Sequence, residues 1–128
     1  MGIQEPKKIL ALVSDLLFTV KISDAARRNG MQIEYVKTDE DFLDKVRGMP
    51  SLVIMDLNIH SANPVKLIEQ VKSDAERKDV NILSFVSHVQ GDLKQKAHDA
   101  GCNLVLARSA FTQNLQQILK RYAGTMGF

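Results

Sequence analysis

The amino-acid sequence predicts a single α/β domain with a doubly wound parallel sheet, and three observations support this prediction. Four short runs of apolar residues occur along the chain, and such runs are typical of strands buried on both faces. Amphipathic helical patterns lie between the runs, so strands and helices alternate. The connections are short, and 128 residues are enough to bury one hydrophobic core.

The strands are predicted from these runs and from one more polar segment. The four apolar runs occupy residues 9–13, 52–55, 82–86 and 104–107. A fifth strand, second in chain order, is expected at residues 33–36, where Glu34 interrupts the apolar pattern. Because a charged residue suits an edge strand better than a central one, this strand is expected at an edge. Since a helix follows each strand, right-handed crossovers should make all the strands parallel.

Each helix is predicted from an apolar face and from residues typical of helix ends. Gly30 is expected to end the first helix and Gly101 the fourth. Residues 38–41 are typical of a capping box that opens the second helix, and Asn63–Pro64 of the start of the third. The apolar faces, in chain order, are Phe18, Ile22 and Ala25; Phe42, Leu43 and Val46; Leu67, Ile68 and Val71; Leu93, Ala97 and Ala100; and Leu115, Ile118, Leu119 and Tyr122.

Composition limits the location and the partners of the protein. The 17 basic and 15 acidic residues give a net charge of +2, and no basic cluster is interleaved with aromatic residues, so direct nucleic-acid binding is disfavoured. No apolar run approaches the roughly 18 residues of a membrane span, and no secretory signal is recognisable. The single cysteine, Cys102, excludes an internal disulfide. We expect a cytoplasmic protein of one domain, residues 1–128, with its core at about 8–122 and tails at 1–7 and 123–128.

Polar residues that could form a site follow the first, third, fourth and fifth predicted strands. In an open α/β sheet, ligands bind outside the carboxyl ends of the strands, so these residues should gather at one edge. Two carboxylates, a hydroxyl group and a cation are therefore expected to converge there. In chain order the residues are Ser14 and Asp15 after the first strand, Asp56 and Asn58 at the third, Ser87 at the fourth and Arg108 at the fifth.

This combination of side chains suits phosphoryl transfer. Asp15, Asp56 and a backbone carbonyl are oxygen ligands of the kind that Mg²⁺ prefers, and the ion would keep several waters. A carboxylate beside that ion can attack phosphorus as a nucleophile. The Ser87 hydroxyl and the Arg108 cation would then hold the phosphoryl oxygens.

The segment Leu52–Leu57 resembles the third strand of response-regulator receiver domains, which ends in the phosphorylated aspartate. In that family the fourth strand ends in Ser or Thr, matched here by Ser87. The fifth strand ends in a lysine that follows an Ala-Gly pair, and here Arg108 follows Ala100–Gly101. The resemblance extends over about residues 8–122. It implies the flavodoxin-like (βα)5 receiver fold with strand order 2-1-3-4-5, the order of CheY.

The resemblance also implies a function in signal transduction. Asp56 would be the phosphoacceptor, supplied by a partner histidine kinase or phosphotransfer protein, with Ser87 and Arg108 assisting. Mg²⁺ would be held by Asp15, Asp56 and the backbone carbonyl of Asn58. A downstream protein partner would respond to the change, and a homodimer through the fourth and fifth helices and strands is compatible with the family. The implied protein is no enzyme beyond self-phosphorylation and autodephosphorylation at Asp56.

The sequence departs from the receiver pattern at several positions. Receivers usually carry two adjacent acids after the first strand, whereas Ser14 precedes Asp15 here, so Mg²⁺ affinity should fall without the site being abolished. Arg108 keeps the positive charge of the family's lysine. Its planar guanidinium, however, cannot be positioned in the site as the compact ammonium group of lysine would be. Ser109 replaces the usual proline, and Val105 occupies the position of the aromatic switch residue.

Several alternatives stay open at the level of sequence. The main one is a pseudo-receiver, a phosphorylation-independent interaction domain in which Asp56 is inert or held in a permanent ion pair by Arg108. Asp15 could cap the first helix as well as bind metal. A metal site of Asp56, His60 and His88 has no supporting spacing such as H-x-x-x-H. A small α/β enzyme or ligand-binding domain using the same sheet edge is the third alternative.

Overall fold

A computed structural model describes residues 7–87 and 90–123, so the sequence-predicted tails fall largely outside it. Strands and helices alternate as the sequence predicts. No helix in the described ranges is long and apolar enough to cross a bilayer. The elements are β1 (Lys8–Leu12), α1 (Leu16–Arg28), β2 (Gln32–Val36), α2 (Asp39–Lys45), a 3₁₀ turn (Val46–Gly48), β3 (Leu52–Asp56), α3 (Pro64–Ser73), β4 (Ile82–Val86), α4 (Gly91–Asp99), β5 (Leu104–Ala107) and α5 (Arg108–Tyr122).

The five strands of the described chain form one parallel sheet in the order β2-β1-β3-β4-β5. The expected topology and the edge position of β2 are therefore confirmed. The bounds of β4 and β5 are those expected from the apolar runs, whereas β1 lies one residue earlier and β3 extends by one residue to Asp56. Strand β2 is added on one side of β1, and β3, β4 and β5 are added on the other, so the strand order reverses between β1 and β3. In sheets of this kind, ligands bind in the crevice at the point of reversal.

Alternating side chains along the strands build a hydrophobic layer on each face of the sheet. Val53 and Met55 of β3 pack with α2, α3 and α4, whereas Leu52 and Ile54 pack with α1 and α5. This alternation is the period of two that a strand imposes. Asp56 follows Leu52 and Ile54 at the same spacing of two residues, so its side chain lies on the face of the sheet that α1 and α5 cover.

The helix caps follow from the sequence. Thr38 opens α2 by accepting a hydrogen bond from the backbone N–H of Asp41, and Asn63 caps α3 with Pro64 in its first turn. Beyond α1 and α4, Gly30 and Gly101 have φ values of 67° and 106°, which a residue with a side chain adopts rarely. The two N-caps fix where α2 and α3 begin, and the two glycines follow the ends of α1 and α4.

Candidate functional site

The carboxyl edge of the sheet brings the sequence-predicted site residues together. Asp56 ends β3, Asp15 immediately precedes α1, and Arg108 directly follows β5 as the first residue of α5. The charges of Asp15 and Arg108 both act on the carboxyl group of Asp56, since each shifts its pKa. Residues far apart in the sequence therefore form one site, as a parallel sheet with this order requires.

Asp56 is a buried acid, with 5% of its surface exposed. Its Oδ1 atom accepts a hydrogen bond of 2.9 Å from the backbone N–H of Asn58. Burial raises the pKa of Asp56 above its ordinary value of 3.8, and the negative charge of Asp15 adds to this increase. The Asn58 N–H, Arg108 and His60 oppose it only in part. The ionised carboxylate is thus less stabilised than it would be in water.

Arg108 lies close to Asp56 without forming a hydrogen bond to it. The distance from Arg108 Nη2 to Asp56 Oδ2 is 3.8 Å, and 40% of the arginine side chain is exposed. Its guanidinium carbon lies 5.0 Å from the ring centroid of Phe18 and 5.8 Å from that of Phe85, two rings that stack at 4.8 Å. Arg108 Nε is buried and has no hydrogen-bond partner among residues 7–87 and 90–123. The ion pair expected for the pseudo-receiver therefore exists only as a long contact.

The Asn58 side chain bridges the loops that follow β3 and β4. Its Oδ1 atom accepts a hydrogen bond of 3.0 Å from the backbone N–H of Ser87, and its Nδ2 group donates to Gln90 Oε1. Because the Asn58 N–H also binds Asp56 Oδ1, one residue connects the acid to the loop that carries Ser87. The sequence assigned Asn58 only a backbone carbonyl ligand, and this side-chain role was missed.

Asp15 is the N-cap of α1, as the sequence allows. Its Oδ1 atom accepts hydrogen bonds from the backbone N–H groups of Leu17 (2.9 Å) and Phe18 (3.2 Å). Its other carboxylate oxygen has no hydrogen bond to a described residue, so capping leaves one oxygen for a ligand. Ser14, at the position where receivers carry an additional acid, is exposed to solvent.

The oxygen atoms at this edge fit Mg²⁺. Asp15 and Asp56 each have a carboxylate oxygen without a hydrogen bond from the described residues, and the Asn58 carbonyl was the third ligand expected. No group of three or more His, Cys, Asp and Glu side chains within 7–87 and 90–123 is placed to hold a metal ion. An ion here would rely on water and a backbone carbonyl, as Mg²⁺ commonly does. In the alternative metal site, His60 is exposed and His88 lies outside the described residues.

Solved structures resemble the chain over most of its length. A response regulator from Hahella chejuensis has a TM-score of 0.80 at 19% identity and covers 91% of this chain and 94% of its own. The chemotaxis response regulator CheY4 of Vibrio cholerae has a TM-score of 0.78 at 18% identity, and the match covers 92% of this chain and 99% of CheY4. The receiver domain of the sensor histidine kinase PA1611 from Pseudomonas aeruginosa, with magnesium coordinated in its active site cleft, has a TM-score of 0.79 at 18% identity, with coverage of 94% and 99%.

The chain has the fold of receiver domains. No protein-family model matches the sequence, and no curated protein matches it either. The receiver fold is thus present with a sequence that differs at four fifths of the compared positions or more. Val105, where the resemblance predicts the aromatic position of receivers, is partly buried against the layer formed by α2, α3 and α4.

Proposed function

We propose that the chain is a signal-transduction receiver module in which Asp56 accepts a phosphoryl group from a partner histidine kinase or phosphotransfer protein. One observation carries the proposal: the buried carboxylate of Asp56 faces the guanidinium of Arg108, whose N–H donors make no hydrogen bond within the described chain. An acid with a raised pKa beside a cation with free donors is typical of a functional site. The receiver fold supports the same function.

Phosphoryl transfer would use the free oxygen of Asp56. Because Oδ1 accepts the Asn58 N–H, Oδ2 is the nucleophile we expect. The Oδ2–P bond forms while the bond from phosphorus to the donor's imidazole nitrogen breaks, and the imidazole leaves with that electron pair. Arg108 and the hydroxyl of Ser87 donate hydrogen bonds to the phosphoryl oxygens. Water then attacks phosphorus and the Oδ2–P bond breaks, which restores the carboxylate of Asp56 and releases inorganic phosphate. The activity is thus self-phosphorylation and autodephosphorylation.

The proposed cofactor is Mg²⁺, held by Asp15, Asp56 and the carbonyl of Asn58. When bound, it would supply positive charge against the phosphoryl oxygens. The chain contributes orientation, because the hydrogen bonds that cap α1 hold the carboxylate of Asp15 in place. With Ser14 instead of an acid, fewer carboxylates surround the ion, so the proposed affinity is weak.

The proposed output passes through Asn58 to the loop after β4. A phosphoryl group on Asp56 would compete for the N–H of Asn58 and attract the Ser87 hydroxyl, which disturbs the bridge between the loops. A downstream protein would bind one arrangement of these loops better than the other. This route does not require an aromatic residue at Val105.

A pseudo-receiver is the second candidate, and two observations favour it. Arg108 already provides a positive charge 3.8 Å from Asp56, and Ser14 removes an acid from the metal site. The domain would then act through protein contacts alone. The first turns of α1 offer an apolar surface for such contacts, since Leu16, Leu17 and Val20 are 80%, 73% and 67% exposed.

Intact mass after incubation with acetyl phosphate and Mg²⁺ tests the proposal. We expect one added phosphoryl group on the wild type, less without Mg²⁺, and none on Asp56→Asn. A wild type that gains no mass and shows no Mg²⁺-dependent change in melting temperature would support the pseudo-receiver instead. In that event the double variant Ser14→Asp, Arg108→Lys identifies the cause, because labelling restored in it would attribute inertness to those two residues.

A further inference from the structure

A cleft between α1 and α5 opens beside the Asp56 site. Its volume of ≈ 420 Å³ lies within the roughly 300–1,000 Å³ typical of small-molecule sites, so it has room for more than a single ion. Of the lining residues that the structure describes, two are basic, three carry hydroxyl groups and none is acidic. The lining residues are Phe18, Lys21, Ser87, Arg108, Ser109 and Thr112.

The two cations of this cleft lie near one aromatic ring. Lys21 Nζ is 5.9 Å from the ring centroid of Phe18, and the guanidinium carbon of Arg108 is 5.0 Å from the same centroid. Both positive groups line the same cleft, so an anion bound there would be attracted by both charges. The Phe18 ring also keeps water from one side of the site, which strengthens electrostatic contacts there.

Within the described chain, Lys21 has no acid in salt-bridge contact, and Arg108 has one only at a long distance. Asp24, one turn after Lys21 on α1, pairs instead with Arg27 at 2.5 Å and Arg28 at 3.1 Å. Lys21 makes no salt bridge with any residue in the described ranges, and among those residues the acid that pairs with Arg108 is Asp56, at 3.8 Å. The cleft therefore carries an excess of positive charge together with unused N–H donors.

We propose that the cleft binds a phosphate group, as inorganic phosphate or as a phosphate monoester, through Lys21, Arg108 and Ser109. The guanidinium offers a rigid fork of donors that matches phosphate oxygens, and Lys21 adds a second charge on a flexible stem. The exposed Ser109 hydroxyl supplies a further donor. Thr112 does not, because its hydroxyl donates to the carbonyl of Arg108 and fixes the first turn of α5.

Occupancy of the cleft would compete with Asp56 for Arg108. A guanidinium drawn toward a phosphate in the cleft would stabilise a phosphoryl group on Asp56 less, and the two neighbouring anions would repel each other. A bound phosphate compound should therefore slow labelling of Asp56 and shorten the lifetime of the label. This consequence rests on the proposed function, whereas binding in the cleft does not.

Titration of the full chain with inorganic phosphate and, separately, with glycerol 3-phosphate tests the site. The titrations use EDTA, constant ionic strength and no phosphodonor, with backbone amide shifts as the measurement. We expect shifts in the first turns of α1 and α5. Arg108→Gln should weaken binding about tenfold and Lys21→Gln about threefold, the scale of charge-assisted hydrogen bonds at a partly exposed site. Tighter binding of one compound identifies which form of phosphate the cleft prefers.

Lys66→Gln is the matched control, since it removes the same charge from an exposed position on α3, across the sheet. Its phosphate affinity should equal that of the wild type, and Asp56→Asn should bind at least as tightly as the wild type. Equal affinities of Lys21→Gln and Lys66→Gln, or loss of binding in Asp56→Asn, would overturn the site. Because the titration excludes Mg²⁺ and phosphodonor, it stands even if labelling of Asp56 fails.

Discussion

Two cations, Lys72 on α3 and Arg108 at the start of α5, lie at strand ends on opposite edges of the sheet. The ammonium of Lys72 donates to the carbonyls of Lys78 (3.0 Å) and Val80 (2.7 Å) and to Asn103 Oδ1 (2.8 Å). All three of its protons are therefore used. The guanidinium of Arg108 makes no hydrogen bond within the described chain.

We interpret the difference as that between a structural cation and a cation that serves the proposed function. Asn103 Oδ1 also accepts the backbone N–H of Ile82, so Lys72 belongs to a closed network at the amino ends of β4 and β5. The stem of Lys72 packs so closely on Gly101 that an added Cβ there would lie 2.9 Å from Lys72 Cγ. At the carboxyl edge, by contrast, the donors of Arg108 make no hydrogen bond within the described chain and the acid Asp56 is buried, which costs stability. The proposed ligand would use these groups.

The largest expected effect is on Lys72. Lys72→Met should lower the free energy of unfolding by about 2–3 kcal/mol, because it leaves two carbonyls and Asn103 Oδ1 without their charged donor. Urea unfolding measures this difference. Lys66→Met, an exposed change on the same helix, should cost less than about 0.5 kcal/mol. Equal losses of unfolding free energy in the two variants would contradict the structural role of Lys72.

Asp56→Asn should raise the free energy of unfolding, whereas Lys72→Met should lower it. Because the ionised carboxylate is buried with only one hydrogen bond, its neutral replacement should stabilise the protein at pH 7 by about 1 kcal/mol. The pH dependence follows from the pKa of Asp56, which folding raises above 3.8. The folded state then binds this proton more tightly than the unfolded state, so the wild type loses stability as the pH rises through the folded-state value.

Parallel unfolding of the wild type and Asp56→Asn at about pH 4 and pH 7 checks both statements. The advantage of the variant should grow with pH. An advantage that stays constant, or a variant less stable than the wild type at pH 7, would show that the carboxylate is not penalised by its burial.

Asn58→Ala should cost about 1 kcal/mol, since it removes the two side-chain hydrogen bonds that join the loops after β3 and β4. The sharper measurement is hydrogen exchange at the amide of Ser87, which loses its acceptor and should exchange faster. Gln113→Ala, an exposed change on α5, serves as control and should leave this amide unchanged. Unaltered exchange in Asn58→Ala would mean that the loops are not coupled through this side chain.

The smallest expected effect is on Arg108. Arg108→Met should change the unfolding free energy by roughly 0.5 kcal/mol, because a partly exposed contact of 3.8 Å contributes little. The same unfolding experiment compares it directly with Lys72→Met. A cost as large as that of Lys72→Met would show that Arg108 is a structural cation after all and would favour the pseudo-receiver.

Much of the fold was accessible from the sequence because it follows from local patterns. Buried strands such as residues 82–86 and 104–107 are continuous apolar runs, and their bounds are those expected. Glu34 marked β2 as an edge strand. Asp15, Asp56 and Arg108 were found because strand ends in a parallel sheet meet at one edge.

The finer contacts were not accessible, because they depend on loop geometry and side-chain rotamers. Asn58 and Gln90 are separated by 32 positions and lie in irregular segments, so no periodic pattern brings them together. Phe18 and Phe85 were expected only as apolar residues, and their contact with Arg108 follows from how α1 and α5 pack on the sheet. The pairing of β3 with β4 places Phe85 beside Asp56. Because both residues lie at or next to the ends of neighbouring parallel strands, this proximity was the one contact that the sequence could indicate.

The most direct test of the view that Arg108 holds its donors for an oxyanion is the NMR signal of its Nε–H group. The signal is compared before and after acetyl phosphate labels Asp56, with free donor removed. We expect a clear downfield shift in the labelled protein, because the group gains an anionic acceptor that no described residue provides. An unchanged Nε–H signal in fully labelled protein would contradict the assignment of Arg108 to the phosphoryl group.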